Sequence, residues 1–445
     1  MRRTCISSKR FLFATVSALL LSTIPPASSQ QINPIVSRAI TTSEAVDIAL
    51  KNSPTLQARQ AMVAAAAARV RMAKAMTRPQ ITGTGYATGS SMLMILPGPE
   101  VVGGLQAWTL APDTKSLNGI LMGMYPLYTG GKLRAKIESA CFSSEAALED
   151  FAVSELDVSL ATKIAYYQVL LAREVVNVYE DRVAEAQERL RIAEKAFEEG
   201  KIARYDLLRN QTDLTESQQQ LNNARRDVEV ALANLKNSLG ISQESNITLT
   251  DTLATPQPLE DITVLRQLAI KHRPEVAAVY ARIKAAQSDV SVAKSAYKPQ
   301  VYAMGMAEFA VSSGSTDTGA LVGVTVSIPI LDGGLRKSTV EEAQTMVEQA
   351  EAEKREVLLA VERDVSTSYA RVGAAAENVT LAKAAVEQAE EDYRIIKLRY
   401  EAGKSINVEV LDALASLTRA RADYAAALYN YNAARADLLR AIGQR

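Results

Sequence analysis

Few residues of this chain have the types and spacing that catalysis or metal binding requires. The only histidine, His272, has no second histidine or cysteine near it to complete a metal site. Two glycine pairs, Gly130-Gly131 and Gly333-Gly334, lack the further glycines of a phosphate-binding loop. The many carboxylates are spread along predicted helix surfaces, where solvation is the usual role. We therefore predict that the chain is not an enzyme and that it holds no cofactor and no metal.

The spacing of one pair of carboxylates would allow them to attract cations together. Glu409 and Asp412 are three residues apart in a predicted helix, so both lie on one helix face. Arranged around a symmetry axis, such pairs form acidic rings that attract cations and repel anions. The alternative is that both are ordinary solvated acids of a helix surface. The choice depends on the elements that position them.

The chain repeats its own sequence features at a long interval. Lys-Pro-Gln-Val at 298–301 repeats Arg-Pro-Gln-Ile at 78–81, at an offset of 220 residues. Tyr-Glu-Ala-Gly-Lys at 400–404 repeats Phe-Glu-Glu-Gly-Lys at 197–201, at an offset of 203. The first copy therefore carries 17 additional residues between positions 81 and 125. A repeat of this length indicates a duplicated half-protein, since solenoid units are much shorter.

Each copy has the predicted order helix, strand, strand, very long helix, helix. The first repeat, 30–240, has a helix at 42–77, strands at 81–89 and 118–128, a long helix at 132–199 and a helix at 203–239. A linker at 241–262 leads to the second repeat, 263–445, with a helix at 263–297, strands at 301–312 and 321–330, a long helix at 335–402 and a helix at 406–442. Prolines disfavour helix in the preceding residue, and the breaks between helices and strands are predicted at Pro79, Pro126, Pro299 and Pro329.

The long helices predict a tall column. Each would extend roughly 100 Å at 1.5 Å per residue, and the two shorter helices of a copy match it when stacked end to end. Apolar or aromatic residues recur at alternating spacings of three and four from 169 to 197 and again from 372 to 400, which is typical of a coiled coil. The halves nearer the strands keep this pattern less well, so we expect side-by-side helices there.

The last predicted strand alternates clearly. One face carries Val322, Val324, Val326, Ile328 and Ile330, and the other face is mostly small or polar. This pattern fits a strand with lipid on one side and water on the other, although an ordinary half-buried strand would look the same. The predicted strands are also near the 9–11 residues that cross a bilayer at a tilt.

The charge balance and a targeting signal indicate the partners and the location of the chain. Lys and Arg total 50 and Asp and Glu total 50, so nothing steers the chain toward nucleic acid. Residues 1–29 have the basic start, apolar stretch and small residues of a secretory signal peptide. Its removal would leave Cys141 alone, which excludes an intramolecular disulfide. We therefore expect an exported chain.

Signal and strands together indicate an outer-membrane β-barrel, yet four strands cannot close one. Unpaired strand edges are not tolerated in lipid, so several chains must share a barrel if the strands lie in a membrane. With these features, the chain resembles the TolC-like outer-membrane efflux proteins over nearly all of its mature length. The resemblance rests on the Arg-Pro and Lys-Pro breaks, the Pro-x-x-x-Gly-Gly returns at 126–131 and 329–334, and the segments 197–208 and 400–412.

The resemblance implies a mainly α fold with a small β part, in which three chains form a twelve-stranded barrel that continues into a periplasmic α-helical barrel of coiled coils. The implied function is an outer-membrane exit duct of a tripartite efflux or type I secretion system. Its partners would be two further copies of the chain, a periplasmic adaptor (membrane fusion protein), an inner-membrane pump of the RND or ABC type, and outer-membrane lipid. A periplasmic coiled-coil scaffold or envelope tether without a pore is the alternative.

The resemblance also assigns residues to the tips of the long helices. Glu409 and Asp412 would form two stacked acidic rings at a closed periplasmic entrance. The residues implied for this entrance are Glu409, Asp412, Asp206, Tyr400, Lys404, Arg204 and Arg209. The residues implied for adaptor docking are Gly200, Lys201, Ile202, Asp206, Leu207, Leu208, Gly403, Lys404, Val410 and Leu411. A plain interhelical turn is the simpler interpretation of the glycines. Efflux and protein secretion are not separated by any motif.

Overall fold

Eight α-helices are present in the part of the chain that the structure, a computed structural model, describes. The described residues are 35–89, 94–97, 108–111, 115–312 and 315–445, so the predicted signal peptide and most of the longer external loop lie outside them. The helices are α1 (Thr42–Asn52), α2 (Pro54–Ala75), α3 (Lys132–Glu198), α4 (Arg204–Leu239), α5 (Ile262–His272), α6 (Pro274–Lys294), α7 (Leu335–Glu401) and α8 (Asn407–Ala441). None of these helices is both long and apolar enough to cross a lipid bilayer.

The strands of the two repeats join in one antiparallel sheet. The described strands are β1 (Ser37–Ile40), β2 (Gln80–Gly89), β3 (Met94–Pro97), β4 (Trp108–Ala111), β5 (Lys115–Tyr128), β6 (Asn246–Leu249), β7 (Gln300–Ser312) and β8 (Ser315–Ser327). Four of them form a sheet in the order β2-β5-β7-β8, so the middle pair comes from different repeats. The short strands β3 and β4 pair with each other inside the longer loop.

The prediction of a single first helix in each repeat is wrong. In the first repeat the helix ends before Ser53, whose extended backbone (φ −60°, ψ 120°) separates α1 from α2. Arg273 has the same conformation (φ −70°, ψ 123°) between α5 and α6. In both repeats the next residue is proline, which disfavours the helical region for the residue before it and then starts a new helix.

The described helices form a wall in which neighbours lie side by side. In the half near the sheet, α2 packs on α3, α3 on α6, and α6 on α7. In the other half, α4 packs along α3 and α8 along α7, which makes two hairpins that meet where α3 contacts α8. We call α3–α4 the first hairpin and α7–α8 the second hairpin. Of the coiled-coil positions, Val169, Ala186, Val372 and Val379 are buried in these contacts.

The sheet has one apolar and one polar face. The apolar face includes Leu121, Phe309, Val322, Val324 and Val326, all of them exposed in the single chain. The polar face includes Thr82, Asn118, Glu308 and Thr325 on the four strands. An exposed apolar face of this extent indicates a partner that excludes water.

Two details of the strands differ from the prediction. Strand β8 ends at Ser327, so Ile328 and Ile330 follow the strand and do not belong to its alternation, because the chain turns at Pro329 toward α7. Pro126 lies inside β5, where the pairing with β7 shifts between Pro126 and Tyr128. A bulge accommodates a proline because it leaves a residue without a ladder partner. Pro79 and Pro299 do lie between a helix and a strand.

The predicted linker contains a strand. Strand β6 pairs in parallel with β1, the segment just before α1. The hydroxyl of Tyr166, a fully buried residue of α3, donates a hydrogen bond of 2.9 Å to the carbonyl of Ile40. This contact fixes the two-stranded element against the middle of the column, so the linker packs on the wall at that height.

Candidate functional site

The two hairpins end in the same turn. Gly200 and Gly403 have φ of 71° and 70°, the left-handed region that glycine adopts without strain. The amide of Lys201 donates to the carbonyl of Ala196 at 2.8 Å, and Lys404 repeats this bond at its own turn. These are Schellman turns, which end a helix and reverse the chain. They place both glycines and both lysines, all exposed, at the far end of the column from the sheet.

Behind the turns, the second hairpin has its own apolar core. Val410, Ala413, Leu414 and Leu417 of α8 pack against Tyr393 of α7. The predicted docking role of Val410 and Leu411 conflicts with their burial, since they are only 2% and 7% exposed. Val410 packs in this core and Leu411 is buried next to it in the chain, so these side chains support the tip and do not present a surface.

Exposed apolar side chains do occur at both tips. Leu208 is half exposed, and Ile202 and Leu207 are partly buried beside it. Sequence reasoning missed Tyr205 and Ile406, each 63% exposed at the start of α4 and just before α8. Large apolar residues directly after each turn were the signal that could have identified them.

The acidic pair lies on the outside of its helix. Glu409 and Asp412 are both exposed on α8, whereas their sequence neighbours Val410 and Ala413 are buried in the core. The hydroxyl of Ser405 donates to the carboxylate of Glu409 across the first turn of the helix. Among the described residues, no hydrogen bond or ion pair engages the exposed carboxylate of Asp412.

The remaining predicted entrance residues divide into two groups. Tyr400 packs on the apolar core, and its burial, together with the nearby Asp206 carboxylate, raises its pKa. Arg209 instead donates to the Tyr205 hydroxyl at 2.8 Å within α4. Arg204 and Lys404 are exposed, and within the described residues neither makes an ion pair.

Polar contacts join the two hairpins above the tips. The Tyr393 hydroxyl of α7 donates to the Glu185 carboxylate of α3 at 2.8 Å, and Lys397 lies 3.6 Å from the same carboxylate. Burial and then the Glu185 charge raise the pKa of Tyr393 to about 12. Arg421 of α8 bridges to Asp181 of α3 at 3.3 Å. We call this set of contacts the seam. The heptad pattern predicts Tyr393 as a packing residue but gives no signal for its polar partner.

A cavity lies at the seam. It has a volume of about 640 Å³ and lies between α3 and the second hairpin, lined by Arg182, Glu185, Tyr393, Leu414 and Arg421 among others. The second hairpin has an apolar core at this height, whereas the seam consists of contacts between charged and hydroxyl groups.

Beside the seam, the first hairpin contains a buried charge cluster. Arg182 and Arg189 of α3 both donate to the Asp213 carboxylate of α4, and all three side chains are about 10% exposed. Burial lowers the pKa of Arg182, and the positive charge of Arg189 acts in the same direction. Two arginines share one carboxylate, so Asp213 holds the cluster together.

The described part of the chain contains no group of three or more histidine, cysteine, aspartate or glutamate side chains placed to hold a metal ion. The free cysteine there, Cys141, is exposed on α3. The tips of the two hairpins carry exposed polar side chains together with the exposed Tyr205, Leu208 and Ile406.

The sequence of this chain matches one protein-family profile and several known proteins. The sequence profile described as "Outer membrane efflux protein" matches residues 45–241 and 265–444, which are the two repeats. Protein CyaE of Bordetella pertussis is 25% identical over 392 residues, 86% of this chain and 78% of that protein. The pyoverdine export outer membrane protein OpmQ of Pseudomonas putida is 25% identical over 409 residues, 89% of this chain and 84% of that protein.

A solved outer-membrane channel has a similar fold. The outer membrane channel CmeC of Campylobacter jejuni superimposes with a TM-score of 0.72 at 20% sequence identity, covering 90% of this chain and 85% of that chain. The likeness extends over the sheet and the helical column together. The mainly helical fold with a small sheet is therefore that of the outer-membrane channels, as the sequence predicts.

Proposed function

The chain belongs to the outer membrane efflux protein family, and we propose that it is the outer-membrane exit duct of a tripartite efflux or type I secretion system. It lies in the outer membrane with a long periplasmic helical part. It conducts substrates passively, and energy comes from an inner-membrane pump of the RND or ABC type through a periplasmic adaptor. The observation that carries the proposal is one chain that joins an amphipathic sheet to a helical wall.

The sheet argues for three chains. Strands β2 and β8 are the two edges of the four-stranded sheet, and both leave a row of backbone groups unpaired. Pairing β8 of one chain with β2 of the next satisfies these groups, and three chains give a closed barrel of twelve strands. The apolar face with Val322, Val324 and Val326 then contacts lipid, and the polar face lines the pore.

The tips form the entrance of the duct. In a trimer, Glu409 and Asp412 make two acidic rings around the axis, which favour cations at the narrow end. The exposed side chains of Tyr205, Leu208 and Ile406 provide the apolar surface on which an adaptor docks.

Planar-bilayer recordings test the acidic rings. Replacing Glu409 and Asp412 with Ala is expected to reduce cation preference and block by multivalent cations. Glu348→Ala with Glu351→Ala is the matched control, because these acids have the same spacing on α7, are also exposed and lie far from the tip. Equal conductance and block in both double variants would contradict the acidic rings but leave the duct itself in place.

Fractionation tests the duct. The protein is expected with the outer membrane, as a trimer that separates into single chains only after heating. Recovery as a soluble periplasmic monomer would favour a coiled-coil tether and contradict the duct. The identity of the substrate follows from the adaptor that co-purifies through the tips, and Leu208→Asp with Ile406→Asp is expected to abolish that co-purification.

A further inference from the structure

The sheet contains methionines at a recurring spacing that the duct function does not explain. Met-x-Met occurs at 92–94, 122–124 and 304–306. Residues two apart in a strand share a face. The second and third pairs lie on the adjacent strands β5 and β7, where Met122 is opposite Met306 and Met124 is opposite Met304. Directly opposed Cβ atoms are about 5 Å apart, so four thioethers form one cluster.

The cluster lies on the polar face of the sheet. It shares that face with Asn118 and Glu308, whereas the valines of β8 point to the other side. All four methionines are partly buried. The Thr325 hydroxyl lies 2.9 Å from the sulfur of Met304 and donates to it. Because Thr325 is on β8, this contact holds the Met304 sulfur on the polar face at the β8 side of its strand. The carboxylate of Glu308, two residues from Met306, adds negative charge beside the cluster.

Packing of the sheet does not require these methionines. The positions equivalent to Met304 and Met306 in the first repeat are Thr84 and Tyr86, at the offset of 220. The positions equivalent to Met122 and Met124 in the second repeat, at the offset of 203, are Thr325 and Ser327. The duplicated sheet therefore forms with polar residues at the same places. The four thioethers occur only at the junction of the two repeats.

We propose that Met122, Met124, Met304 and Met306 form a binding site for a soft monovalent cation, Cu(I) or Ag(I). Thioether sulfur is a soft ligand that selects Cu(I), whereas carboxylate, carbonyl and water ligands suit hard cations. Thioethers carry no titratable proton, so the site binds without releasing one. The site depends only on the register of β5 and β7, and its place on the conducting path rests on the proposed function.

Silver binding to the purified full-length protein tests the site. Ag(I) is the probe because it shares the ligand preference and needs no reductant, and the buffers contain nitrate without chloride. The background protein carries Cys141→Ser, Met92→Leu and Met94→Leu, since a thiol and a third Met-x-Met pair would bind Ag(I) themselves. Bound silver is measured by titration calorimetry and by elemental analysis after gel filtration.

The test variant adds Met→Leu at 122, 124, 304 and 306. Leucine for methionine conserves the side-chain volume, so the trimer is expected to persist on a gel. The control variant adds Met→Leu at three exposed helical positions, Met62, Met72 and Met346. We expect the background and the control to bind Ag(I) equally and the test variant to bind at least tenfold more weakly.

Two outcomes would overturn the site: no Ag(I) binding by the background protein, or unchanged binding by the test variant. Bilayer recordings of the same proteins separate this result from the proposed function. Silver binding without any conductance would contradict the duct and leave the site intact. Normal conductance without silver binding would contradict only the site.

Discussion

We predict that the hydrogen bond between Tyr393 and Glu185 restrains opening of the entrance, because it crosses the seam and would break if the second hairpin moved away from the first. Tyr393→Phe removes one hydrogen bond to a charged group, which contributes about 1.5–3 kcal/mol. Lys397, 3.6 Å from the Glu185 carboxylate, still pairs with it, so the lower value applies. About 1.5 kcal/mol shifts the closed–open equilibrium roughly tenfold toward the open state.

Single-channel recording in planar bilayers measures this shift as a larger open fraction or a larger mean conductance. Tyr205→Phe is the matched control, since the Tyr205 hydroxyl accepts from Arg209 inside one helix and Tyr205 is 63% exposed. The control is expected to record like the unmodified protein. An unchanged open fraction in Tyr393→Phe, with the trimer intact, would refute the idea that the seam restrains opening.

Three further changes have outcomes that follow from the structure. Asp213→Asn leaves two buried arginines without their carboxylate, so the helical part should lose about 3–5 kcal/mol in urea unfolding, whereas Glu180→Gln at an exposed ion pair should lose less than about 1 kcal/mol. Gly240→Ala should lower the melting temperature more than Gly403→Ala. Both glycines have positive φ, but a Cβ at Gly240 would lie 2.8 Å from a main-chain carbonyl oxygen and one at Gly403 meets open space. Hydrogen bonds from Arg336 lower the pKa of Asp332 from 3.8 to about 2. The ionised carboxylate therefore stabilises the folded protein fully above pH 3.8, and this contribution is lost as the pH falls to about 2. The difference in melting temperature between Asp332→Asn and the unmodified protein should disappear over that range.

Local patterns predicted the elements where one physical rule dominates. The heptad from 372 to 400 places Val372, Val379 and Tyr393 in the core because a long helix repeats the same face toward one neighbour. The breaks at Ser53 and Arg273 follow from the same proline rule that locates the end of α2, applied at Pro54 and Pro274. A proline at the first position of a new helix is easily mistaken for a residue inside one longer helix.

Contacts between residues that are far apart in the chain could not be predicted from the sequence. Glu185 and Tyr393 are 208 residues apart, and no periodicity links a surface acid of one repeat to a core position of the other. The pairing of β1 with β6 joins segments of similar separation. The burial of Val410 also depends on how α8 rotates against α7, since adjacent helix positions differ by about 100° in direction.

The duplication makes the walls of the two halves equivalent, but it does not make the seams equivalent. At the offset of 203, the counterpart of Tyr393 is Leu190 and the counterpart of Arg421 is Gln218, so the polar contacts of the seam have no copy. In a trimer, three seams of this kind lie inside chains, and three others with different residues lie between chains. Because their chemistry differs, one set of seams can part while the other holds. The equivalence of the repeats builds a continuous wall, and we expect that wall to open at a seam where the repeats differ, such as the one with Tyr393 and Arg421.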